Sequence, residues 1–152
     1  MLTKMVSIFI LGVFLLTRHE AREQAFVIIF EQVVSEKTTD EILTDALDAR
    51  DFVVDKFAKR VAVGVEENAE RINEAIASSI KGWNINRISK VCLAILKLSV
   101  FEILFEENLP VSVSINEAVE LAKIYGGEND APYVNGVLST IEKKMEYNKN
   151  DN

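Results

Sequence analysis

Cysteine and histidine occur once each in this 152-residue chain, as Cys92 and His19. A lone cysteine excludes a disulfide within the chain, and the two residues together cannot furnish a structural zinc site or a Cys–His nucleophile pair. Two prolines and six glycines leave little material for long loops or a turn-rich β architecture. No glycine-rich phosphate loop, zinc-ligand spacing or Gly-x-Ser-x-Gly elbow is present. The 24 carboxylates fall at helix-surface spacings, so no acid–base pair stands out. No catalytic residue, metal site or cofactor is therefore assigned. Long apolar runs are also scarce. The longest, Met5–Leu16, is shorter than the about 20 residues a membrane-spanning helix needs, and no membrane association is expected.

What is present is ordinary for a single globular domain: 49% hydrophobic residues and 27% charged residues, in a chain long enough to bury one core. The net charge of −7 is unevenly placed. Residues 1–35 are neutral overall, whereas residues 98–152 carry four lysines against ten acidic residues, a net of −6. An acidic surface repels nucleic acid and suits a basic protein partner.

The apolar run Met5–Leu16 follows Lys4, but no small-residue cleavage site comes after it. Gly12-Val13 can be encoded by a purine-rich ribosome-binding site and Leu16 by a TTG start codon. Residues 1–16 are accordingly read as a leader outside the natural protein, with an extra docked helix as the alternative. Residues 17–147 form the domain and 148–152 a polar tail, with fraying expected beyond Tyr147.

Helical periodicity dominates the rest. Arg18–Val34 is the first helix, with apolar residues on two adjoining faces. Arg18, His19 and Arg22 gather at its start, where cations oppose the helix dipole. Such a cluster is placed either for a phosphate ligand or as a solvated end with i,i+4 pairing, His19 to Glu23. Thr38 with Glu41 is a capping box for a short helix. Val54, Phe57, Val61 and Val65 line the next stretch, which begins near Phe52, and Lys56, Lys59 and Arg60 are its solvated face. Asn68 caps a helix buried through Ile72, Ile76 and Ile80, ended by Gly82, with Trp83 as a core anchor. Ile88–Phe105 is the most apolar helix and should be central; Cys92 within it reads as a small core residue.

The last two helices carry the most specific text, SINEAVELAKIYGGENDAPYVNGVLSTI, Ser114 to Ile141. Ser114 with Glu117 reads as a capping box. Gly126-Gly127 reads as a left-handed helix stop, and Asp130 as a cap with Pro132 in the first turn. Gly136 suggests a close backbone approach, and Asn116 and Asn135 suit buried polar ties. The exposed turn is Glu128-Asn129-Asp130.

INEAVELAK, a glycine turn and then YVNGVL resemble the C-terminal signature of the NusB family of bacterial antitermination factors. Arg18-His19-Glu20-Ala21-Arg22-Glu23-Gln24-Ala25 resembles the family's R-x-x-A-R-E-x-A opening. His19 and Glu20 stand where some relatives have further arginines. The likeness spans residues 17–141 and implies an all-α bundle of about seven helices. It implies boxA RNA, the ribosomal protein NusE and the RNA polymerase antitermination complex as partners, in ribosomal RNA transcription in the cytoplasm. By that resemblance RNA contacts are expected at Arg18, His19, Arg22 and Asn129, and partner contacts at Lys97, Phe101 and Glu102. Cys92 replaces an acidic residue and Lys97 an arginine of the family pattern. Two alternatives stay open: a helical interaction module without RNA, and a stand-alone relative of the NusB-like domain of ribosomal RNA cytosine methyltransferases, whose Rossmann-like catalytic half this chain lacks.

Overall fold

Thr17 starts the first helix as half of a capping box. Its hydroxyl oxygen accepts the Glu20 N–H at 3.1 Å, and Glu20 Oε1 accepts the Thr17 N–H at 3.3 Å. Glu20, which dilutes the arginine-rich opening, is thus the residue that satisfies this helix end. The structure is a computed structural model describing residues 16–49, 54–80, 82 and 84–151. The expectations for the leader upstream of Leu16, for Phe52 and for Trp83 lie outside those residues. Among the described residues there are seven α-helices and one 3-10 turn, with no strand. The expected all-α class and helix number hold. No helix among them is long and apolar enough to cross a membrane.

The chain divides into two compact units, with the boundary after Glu67. The first contains α1 (Arg18–Ser35), α2 (Thr39–Ala49) and α3 (Lys56–Glu67). Every residue of α1 from Ala21 to Ile29 is buried, a wider buried surface than the two apolar faces alone imply. Polar groups in such a run need bonding partners. Gln24 meets this through its oxygen: Oε1 accepts the Asp55 N–H at 2.8 Å. Gln32 ties the three helices together, since its Nε2 donates to Thr39 Oγ1 at 2.7 Å and to Ala62 O at 3.1 Å. The Thr38–Glu41 box forms as expected, with bonds of 3.2 and 2.8 Å. The Thr38 bonds, backbone first, hold the Glu41 carboxyl below its usual value. That contribution to stability is present above the carboxylate's unfolded pKa and is lost as pH falls through the lowered folded one.

The second unit contains α4 (Ala69–Ala77), a 3-10 turn at Ile85–Arg87, α5 (Lys90–Phe105), α6 (Val111–Tyr125) and α7 (Asp130–Asn150). As expected from its composition, α5 is central, packing against α4, α6 and α7. Lys144 of α7 donates to Ser78 O just past the end of α4, where a cation meets unsatisfied carbonyls.

Several readings of the last two helices need correction. Helix α6 begins after Pro110, a turn before Ser114. Proline's fixed φ and missing N–H suit a helix start, so Ser114 falls on the buried face instead of capping. It is 1% exposed, and its Oγ has no hydrogen-bond partner. Gly126 is extended (φ −95°, ψ −175°), so no left-handed stop is made. The glycine is needed for space: a Cβ there would meet Ala122 O and Asp130 Oδ2, both at 2.7 Å. That closeness lets Asp130 reach back to accept the Gly127 N–H at 2.7 Å. The buried stripe Val134, Val137, Leu138 and Ile141 is as expected. Asn116 and Asn135 are exposed, because both lie on the solvent sides of their helices. Helix α7 stays helical to Asn150, past the expected fraying point at Tyr147.

Gly136 is also exposed, and a methyl group placed on its Cα would meet nothing within 4 Å; no close backbone approach explains it. A glycine in an open helix interior costs roughly 0.5–1 kcal/mol relative to alanine. Gly136→Ala should therefore raise the thermal unfolding midpoint, and a lowered midpoint would mean that the site is not open.

Candidate nucleic-acid interface

Two helix starts in the first unit converge on one aromatic ring. Phe57, in the first turn of α3, is half-buried and so not wholly absorbed into the core stripe the sequence assigned it to. The Arg18 guanidinium carbon lies 4.0 Å from its ring centroid, that of Arg60 5.5 Å and that of Arg22 5.9 Å. Guanidinium groups are drawn to the negative face of an aromatic ring at such distances. Three like charges gathered there repel one another, so the cluster raises a local positive potential in an otherwise acidic chain.

Local structure fixes the geometry. The Thr17–Glu20 box anchors the turn carrying Arg18. Asp55 caps α3, its Oδ1 accepting the N–H groups of Phe57 at 2.8 Å and Ala58 at 3.2 Å. The Gln24–Asp55 bond then ties that cap to α1. Arg18 and Arg60 are exposed, while Arg22 is only 4% exposed. His19 Nε2 lies 3.0 Å from Glu23 Oε1, the i,i+4 pairing expected of a solvated helix end. Lys56 and Lys59 are exposed on α3.

The sequence reading missed Phe57 and Arg60. Their i,i+3 spacing puts them on one side of α3, but nothing local says that α1 brings arginines to the same place. That requires the α1–α3 packing.

The remaining candidates lie in the second unit. Asn129 precedes α7, is exposed and makes no side-chain cap. It borders a cleft of about 300 Å³ that Arg87, Ser89, Asp130 and Tyr133 also line. Cys92 at the same cleft is 2% exposed, and burial pushes its thiol up to about 11; it is a core residue, as expected. Of the expected partner residues, Lys97 is half-buried on α5, and that burial, with Lys90 nearby, lowers its pKa. Phe101 and Glu102 are turned inward, 6% and 1% exposed. Phe101 packs against Phe105, with ring centroids 5.3 Å apart. Only Lys97 of the three keeps appreciable surface, because successive positions on α5 face neighbouring helices. Among the described residues no group of three or more His, Cys, Asp or Glu could hold a metal ion.

Comparison with known proteins bears on this geometry. The pattern of the NusB family matches residues 19–143. The chain is 48% identical over 107 residues to the transcription antitermination protein NusB of Clostridium botulinum (strain Kyoto / Type A2), covering 70% of this chain and 74% of that protein. T. maritima NusB has a similar structure, with a TM-score of 0.73 at 35% identity over 86% of this chain and 93% of that one. A chain in the structure of antitermination factors NusB and NusE in complex with dsRNA shares the fold at a TM-score of 0.72 and 24% identity, over 85% of this chain and 99% of that one.

Proposed function

The chain belongs to the NusB family of transcription antitermination proteins, and we propose that it acts with NusE to hold boxA RNA in nascent transcripts. Membership makes it a non-enzymatic factor. In this reading the complex acts on RNA polymerase in the cytoplasm, carrying it past terminators in ribosomal RNA operons. The observation that carries the RNA role is the arginine cluster over Phe57, with Arg18 at 4.0 Å from the ring. Cations at a helix start do nothing for the helix, and phosphate oxygens are what an ordered guanidinium cluster fits. Arg18, His19 and Arg22 form the first-helix part of this surface, and Asn129 is a candidate contact in the second unit.

The charge distribution supports a division of labour. The C-terminal third, net −6 over residues 98–152, attracts a basic ribosomal protein. Lys97, with Phe101 and Glu102 behind it on α5, is the candidate partner region. The overall −7 opposes RNA, so the free chain should bind boxA RNA weakly and the NusE complex more tightly. Titration of labelled boxA RNA with the chain, with and without NusE, measures this directly. Equal affinities would remove the proposed role of NusE.

A further inference from the structure

We infer that the exposed arginine pair contacting the RNA backbone is Arg18 and Arg60, held in place by Phe57, and that this clamp reads phosphates and not bases. The inference rests on the RNA-binding reading above and changes which residues carry it.

Accessibility separates the three arginines. Arg22 is 4% exposed, so its guanidinium has little surface to offer a ligand. It serves as the inner positive charge of the cluster. Arg18 and Arg60 are exposed, come from different helices and approach the same ring at 4.0 and 5.5 Å. The ring face takes none of a guanidinium's N–H donors, which lie in the guanidinium plane. Phe57 therefore limits the motion of both groups without occupying the donors that phosphate oxygens accept, and less rotamer entropy is lost on binding.

An exposed aromatic in an RNA-binding protein is ordinarily a platform for a base. Here Arg18 already lies against the ring, which leaves phosphate contact as the work of the cluster. Phosphate contacts fix register and affinity but carry no sequence information. Lys56 and Lys59, exposed on the same α3, extend the positive field along the strand.

The test uses the full chain with NusE, and two labelled RNAs of equal length, one containing boxA and one with that sequence scrambled. Arg60→Ala should weaken binding about tenfold, the worth of one charge-assisted contact, and by the same factor for both RNAs. Phe57→Leu should weaken both RNAs as well, and Phe57→Tyr, which restores a ring face, should recover the loss. Lys37→Ala, an exposed cation in the same unit paired with Asp45 at 2.6 Å, is the control and should change nothing. Thermal midpoints recorded alongside identify any variant that fails to fold; Arg60, being exposed, gives a variant that keeps its fold.

If Arg18→Ala weakens binding while Arg60→Ala does not, the clamp is wrong and the first-helix RNA reading stands. If neither changes binding, that reading fails too. A loss confined to boxA RNA would overturn the backbone assignment, and an equal loss in Lys37→Ala would reduce the effect to net charge.

Discussion

Replacing Arg18 and Arg22 together by alanine is expected to weaken boxA RNA binding about a hundredfold, taking each charge-assisted interaction as roughly 1.5 kcal/mol, or about tenfold. The plot of log affinity against log salt should also flatten by about 0.7 for each phosphate of a single-stranded RNA that is no longer neutralised. The two substitutions act differently. Arg18 is exposed and lies 4.0 Å from the Phe57 centroid, so its removal takes away donors that RNA can reach. Arg22 is 4% exposed; its removal takes away an inner charge and leaves a packing defect. Arg22→Lys retains the charge while losing the planar fork. If Arg18→Ala/Arg22→Lys binds better than the double alanine variant, the inner charge matters to RNA. A helical scaffold without an RNA role predicts a different result: a lowered unfolding midpoint with RNA affinity unchanged. Binding and unfolding measured on the same samples therefore separate the two functions.

The sequence was most readable where one local pattern had one structural solution. The Thr38–Glu41 box, the α4 face Ile72–Ile76 and the α7 stripe all depend on spacing within one or two turns, and all are found. The family signature was legible for the same reason, being continuous text. Reading failed where a second element decided the outcome. Ser114 and Glu117 fit a capping box, but Pro110 had already started the helix, and Ser114 was carried to the buried face. Gly126 fits a left-handed stop, yet its space is taken by the returning Asp130 carboxylate. The interface shows the same limit. Arg18 was visible as a cation misplaced against the dipole, whereas Arg60 looked like any exposed α3 cation. Only the packing of α1 on α3 brings both to Phe57. Conversely, the likeness to the family pointed to Phe101 and Glu102 as partner contacts without revealing that both face inward.

Leu96→Ala should be the most damaging single truncation of the second unit. Leu96 is 0% exposed, between Ile95 and Leu98, which is two positions on, and all three are fully buried on α5. Its helix packs against α4, α6 and α7, so movement toward a cavity on one side would open a gap on another. Partial relaxation of this kind places the cost toward the upper part of the about 2–5 kcal/mol range for buried leucine truncations. Against a total stability of roughly 5–15 kcal/mol, that is a large fraction. Chemical denaturation should show a lower midpoint with little change in slope. Val113→Ala, at a 36% exposed position on α6, provides the contrast and should stay within about 0.5 kcal/mol. If Leu96→Ala cost no more than Val113→Ala, α5 could not be the central helix that its apolar composition and three packed neighbours make it.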